Sequence, residues 1–113
     1  MKLDIKTKDL DLTDAIRAHI EEKIASLDRK VERFGDVVSA EVEVGRTTEH
    51  HQKGNVYRAE IHIRLPGKLV YASDEGEDLY ACINEAKQQA ERQIIDYKEK
   101  MADEQKHGSG EEK

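Results

Sequence analysis

The sequence predicts an α+β domain, a two-layer sandwich in the order β-α-β-β-β-α. Three observations carry that reading. Four short stretches alternate apolar and polar residues, two longer stretches repeat apolar residues at helical spacing, and each element has a single apolar face. A sheet with one apolar face needs cover on one side only, and two amphipathic helices supply it.

The first strand is "KLDIKT", residues 2–7, where Leu3 and Ile5 alternate with Asp4 and Lys6. In "DLTDAIRAHIEEKIASLDRKVERF", Ile16, Ile20, Ile24, Leu27 and Val31 recur at the spacing of one helix face. Thr13 can cap this helix through its hydroxyl, Asp14 suits the positive end of the helix dipole, and Gly35 is a stop. "VVSAEVEVG" turns Val38, Ala40, Val42 and Val44 inward and Ser39, Glu41 and Glu43 outward. After the polar turn "RTTEHHQKGN", the strand "VYRAEIHIRL" sets Tyr57, Ala59, Ile61, Ile63 and Leu65 against Arg58, Glu60, His62 and Arg64. Pro66 and Gly67 make a tight turn into a fourth strand, "LVYAS". A second helix is expected from about Asp78 to about Ala102, with Leu79, Ile83, Ala86, Ala90, Ile94, Tyr97 and Met101 as its buried stripe. The first β-α-β connection should be a right-handed crossover that makes strands one and two parallel, followed by an antiparallel meander. Residues 1–102 then form one domain, and residues 103–113, "DEQKHGSGEEK", a disordered polar tail.

Charged residues make up 39% of the 113 residues, and no apolar run approaches the roughly 18 needed to span a bilayer. "MKLDIKTKDL" lacks the apolar stretch of a signal peptide, and one cysteine makes no disulfide framework. These features read as a cytoplasmic protein. The net charge of −6 is uneven: residues 1–36 hold eight basic and nine acidic residues, residues 37–72 five and four, and residues 73–113 six and twelve. A binding face depends on local charge, so the acidic total does not exclude a polyanionic partner.

Catalytic and metal chemistry find little support. Asp74, Glu75, Glu77 and Asp78 precede a helix, where negative side chains are favoured by about 0.3–1 kcal/mol each, and Asp74 and Glu77 have capping-box spacing. His50 and His51 are adjacent turn residues, and His19 and His62 stand alone. Cys82, at the edge of the second helix's apolar stripe, reads as a small buried thiol. No Gly-rich phosphate loop or Ser-His-Asp set is present, so we expect a non-enzyme without metal, cofactor or small-molecule substrate. The outward sheet positions Lys2, Asp4, Lys6, Ser39, Glu41, Glu43, Arg58, Glu60, His62 and Arg64 include no aromatic, so that face is not expected to stack nucleobases.

The first helix is sorted by charge. Stepping about 100° per residue from Ile16 puts Lys23, Lys30 and Arg33 on one flank, with His19 and Ser26 between them. Glu21, Asp28 and Glu32 fall on the other flank. This is either a solvated face whose charges happen to sort or a stripe that faces phosphates. The second helix adds Lys87, Arg92, Lys98 and Lys100, mixed with Glu85, Glu91, Asp96 and Glu99.

"LTDAIRAHIEEKIASLDR" and "ASDEGEDLYACINEAKQQAERQI" resemble the two helices of the short ribosome hibernation-promoting factors and ribosome-associated inhibitor A, a family also described as sigma-54 modulation and ribosomal subunit interface proteins. The family's D-M/L-Y-x-A-I-like core stands here as Asp78, Leu79, Tyr80, Cys82, Ile83 and Asn84, and the resemblance covers about residues 2–100. It implies a double-stranded-RNA-binding-like (dsRBD-like) fold that binds 16S rRNA of the small ribosomal subunit, alone or in the 70S ribosome. The protein would occupy the channel for mRNA and the A- and P-site tRNAs and block translation by occupancy. The positions matching the family's basic residues are Arg17, Lys23, Arg29, Lys30, Arg92 and Lys100, while Arg33, Lys87 and Lys98 come from the charge pattern alone. Gln89 and Asp96 stand where close members have lysines, and Ser26 replaces a base, which implies weaker phosphate binding. The long family forms carry a further domain that pairs ribosomes, and a free monomer is expected here.

A second reading stays open. The acidic last third, the mixed charge of the second helix and an outward Ile95 also fit a module that docks on a protein such as a transcription factor.

Overall fold

The computed structural model describes residues 1–47 and 56–111, with side chains described through residue 104. His50 and His51 lie outside the described residues. Four strands, β1 (Lys2–Lys8), β2 (Ser39–Thr47), β3 (Val56–Leu65) and β4 (Lys68–Gly76), form one sheet in the order β1-β2-β3-β4. β1 and β2 are parallel, and the other neighbours are antiparallel. Inward residues align in rows across the sheet, Ile5–Val42–Ile61–Ala72 and Leu3–Ala40–Ile63–Val70. Helices α1 (Asp14–Ala25) and α3 (Leu79–Glu111) close the core over these rows. Every fully buried residue among those described is apolar, and each large aliphatic side chain among them contributes about 1.5–3 kcal/mol.

Thr13 caps α1 as expected: its Oγ1 accepts the Ile16 amide at 3.2 Å. The continuous first helix is not observed. It breaks after Ala25 into a short turn, α2 (Asp28–Val31), and a 3₁₀ segment over Glu32–Val37. The Ser26 hydroxyl donates to the Lys23 carbonyl at 2.6 Å, and the amides of Leu27 and Lys30 bond three residues back instead of four. The break keeps Leu27 and Val31 in the core. Gly35, at φ 80°, reverses the chain toward β2.

β4 runs past the expected end at Ser73 and takes in Asp74 and Glu75, which pair with Ala59 and Arg58. The Arg58 guanidinium holds Glu75 across the strands at 2.9 Å, which favours continued pairing. The Asp74–Glu77 capping box is therefore not formed. Asp78 caps α3 instead, its Oδ1 accepting the Tyr80 and Ala81 amides at 3.0 and 3.3 Å. α3 also continues to Glu111, beyond the expected end near Ala102.

The middle of the outer edge of β4 is capped by α3. The Gln93 side-chain amide accepts from the Tyr71 backbone N–H at 3.2 Å and donates to the Tyr71 carbonyl at 2.6 Å. Gln89 donates to the Ser73 carbonyl at 3.1 Å. Two glutamines one turn apart thus do at Tyr71 and Ser73 what a further strand would.

The uncovered sheet face carries ion pairs, Lys6–Glu41 across β1 and β2 at 2.7 Å and Arg58–Glu60 along β3 at 2.7 Å. It also carries an aromatic on β4, beyond the outward positions of the first three strands. Tyr71 stands exposed, edge-on to His62 with ring centroids 4.9 Å apart, and accepts a 3.1 Å hydrogen bond from Arg58.

Candidate nucleic-acid interface

α1 and α3 lie side by side on the sheet and are bridged along their length. At the upper end, the His19 and Asn84 side chains hydrogen-bond (Nε2 to Oδ1, 2.9 Å), and the His19 ring meets Tyr80 edge-on at 4.8 Å. Further along, the Glu91 carboxylate lies between Lys87 on its own helix (2.8 Å) and Lys30 of α2 (3.5 Å). At the lower end, the Lys98 ammonium donates to the Lys30 carbonyl at 2.9 Å. Ala25, Ser26, Arg29, Lys30 and Lys98 line a cleft of about 500 Å³ there. Lys23 stands one turn after His19 on the same side of α1.

The structure therefore gathers Lys23, Arg29, Lys30, Lys87 and Lys98 along one groove between the helices. It does not gather the other expected bases. Arg17 is on the opposite flank of α1, 3.9 Å from Glu21. Arg33 leaves the helical projection because residues 32–37 are 3₁₀; its guanidinium sits over the Phe34 ring at 5.7 Å. Phe34 in turn stacks on Tyr97 of α3. Arg92 is exposed on the outer crest of α3. Lys100 follows Gln89 and Gln93 on the side toward β4. Of the departures from the family pattern, Gln89 and Ser26 have local structural uses, at the β4 edge and at the Lys23 carbonyl.

The Lys87 hydrogen bond, then the Lys87 and Lys30 charges, hold the Glu91 carboxyl below its ordinary value. Glu91 links the helices and offsets part of the groove's positive charge. In the sequence, Glu91 stands among mixed surface charge, and its spacing of four from Lys87 is the available signal. The pairing with Lys30 and the His19–Asn84 bond join residues far apart in the chain, which no local pattern reports.

The other candidate chemistries are quiet. Cys82 is buried, and burial first, then the nearby Asp74 charge, push its thiol up to about 11. A thiol with that pKa is protonated at neutral pH and a poor nucleophile. Among the described residues no cluster of His, Cys, Asp and Glu is arranged to hold a metal ion, and no helix is long and apolar enough to cross a membrane.

The fold matches the crystal structure of the Thermus thermophilus Protein Y N-terminal domain with a TM-score of 0.70 and 35% identity, over 86% of this chain and 99% of that one. The Azotobacter vinelandii ribosome hibernation promoting factor is 34% identical over 105 residues, covering 93% of this chain and 90% of that protein. The ribosome hibernation promotion factor of Lactococcus lactis subsp. cremoris is 37% identical over 103 residues, covering 89% of this chain. The chain spans only about half, 51%, of that longer relative. The family model described as sigma 54 modulation protein / S30EA ribosomal protein matches residues 3–102. With that match over nearly the whole described domain and the same fold in a solved relative, this chain belongs to the sigma 54 modulation protein / S30EA ribosomal protein family.

Proposed function

We propose that this protein is a ribosome hibernation factor that acts by occupancy and catalyses no reaction. It binds the small ribosomal subunit in the cytoplasm, in the channel for mRNA and the A- and P-site tRNAs, with the helix layer on 16S rRNA. The observation that carries this reading is the row of Lys23, Lys30, Lys87 and Lys98 between two helices, with Arg29 beside its lower end. Cations aligned on a rigid surface suit the phosphates of a folded RNA, which position a protein without reading sequence. The names of the relatives support the hibernation role.

The test is co-sedimentation with 30S subunits and 70S ribosomes across a salt series, with tRNA as competitor. Binding should be saturable, fall steeply with salt and yield to tRNA. Changing Lys23, Lys30, Lys87 and Lys98 together to Gln should flatten the salt slope by about 0.7 for each phosphate that is no longer neutralised. Unchanged sedimentation of that variant would sink the assignment of the face. The half-exposed Ile95 on α3 leaves room for docking on a protein partner, and binding that survives RNase would favour that reading.

A further inference from the structure

We propose that the upper end of the groove, where Tyr80, His19 and Asn84 meet, is a seat for one unpaired nucleobase. The inference deepens the reading of the groove as an RNA surface and rests on it. Among the described residues, Tyr80 is the one exposed aromatic ring on the groove walls, 39% exposed; the other exposed tyrosine, Tyr71, lies on the far side of the sheet. The ring is held in place: His19 packs edge-on against it at 90°, and His19 is fixed in turn by its 2.9 Å bond to Asn84. A fixed ring loses little freedom when a ligand stacks on it.

The surroundings supply the rest of a nucleotide's needs. An asparagine amide has an NH₂ with two donors besides the oxygen that meets His19, and these can reach the edge of a stacked base. Lys23 stands one turn beyond His19 on α1, and Lys87 one turn beyond Asn84 on α3, where they can hold the flanking phosphates. A duplex would leave the tyrosine idle, because paired bases are stacked on each other and present only sugar and phosphate to a helix surface. The occupant that uses all of these groups is therefore a single strand, or a loop with one base turned out.

The experiment compares a labelled single-stranded oligouridylate of about 12 nucleotides with an RNA duplex of the same length, a size that one small domain can cover, by fluorescence anisotropy. Tyr80→Leu should weaken single-strand binding about tenfold, with the salt slope and duplex binding unchanged, while Tyr80→Phe keeps full binding. In the wild-type protein, adding oligouridylate should move the Tyr80 ring-proton resonances, a readout independent of any variant. Equal losses on both RNAs, no loss on the single strand, or unmoved Tyr80 resonances at saturation would overturn the proposal. If the four-lysine variant loses binding while Tyr80→Leu does not, only the base seat falls. If neither variant loses binding, the RNA reading of the groove falls with it.

Discussion

Replacing Glu91 by Gln should make the groove bind RNA more tightly. Glu91 lies 2.8 Å from the Lys87 ammonium and 3.5 Å from that of Lys30, and its side chain is 26% exposed. A phosphate held by either lysine would sit about 6 Å from the carboxylate. Two like charges at that distance repel by about 0.7 kcal/mol in water and about 2.8 kcal/mol at a surface dielectric near 20. Taking about 1 kcal/mol, the substitution raises affinity about fivefold near 0.1 M salt. The fold loses two partly exposed ion pairs, about 0.5–1 kcal/mol together. The pH dependence has a definite sign. The Lys87 hydrogen bond and charge depress the Glu91 pKa, so the bridge stabilises the fold above the ordinary value of 4.5 and is lost as the pH falls through the lowered value. Wild-type and Glu91→Gln melting temperatures should therefore converge in acid. The assay is anisotropy with the labelled RNA, run beside Glu21→Gln. That control removes the same charge from the flank of α1 that faces away from α3. If Glu91→Gln binds no tighter than Glu21→Gln, the carboxylate does not oppose phosphate binding and the reasoning fails.

Two further outcomes follow from the geometry. Asp78→Ala removes the acceptor for two first-turn amides of α3 and should cost about 1 kcal/mol in a denaturant titration, with Asp78→Asn recovering most of it. Cys82, 1% exposed and with its pKa raised to about 11, should resist a thiol reagent at pH 8 in the native protein and react fully once the chain is unfolded.

Local alternation and capping made most of the fold legible. The rows through Val42, Ile61 and Ala72 follow from period-two patterning, and Thr13 caps as its position predicts, while Gly35 kinks the 3₁₀ segment instead of ending the first helix. What escaped was set partly by tertiary partners and partly by one local hydrogen bond. Arg58 carried β4 through the acidic run and left Asp78 as the cap, and the two residues that form this pair, Arg58 and Glu75, belong to different strands. The break at Ser26 depends on a hydroxyl turning to a carbonyl three residues back, and it undid the projection that had set Arg33 beside Lys30. Of the candidate bases, those close to the joint between the helices were gathered. Arg17, Arg33, Arg92 and Lys100 were not, because charge sign along one helix does not say where its neighbour lies.

Gln89 and Gln93 have a consequence for self-assembly. With Tyr71 and Ser73 of β4 held by α3, and no side chain bonded to the outer edge of β1, β1 is the less protected edge of the sheet among the described residues. Two copies that meet through β1 would satisfy each other about a twofold axis and leave only the capped edge of β4 to recruit a third. Strand-mediated association of this chain should favour pairs. Changing both glutamines, far from the lysine groove, would supply the second end that a growing fibre requires.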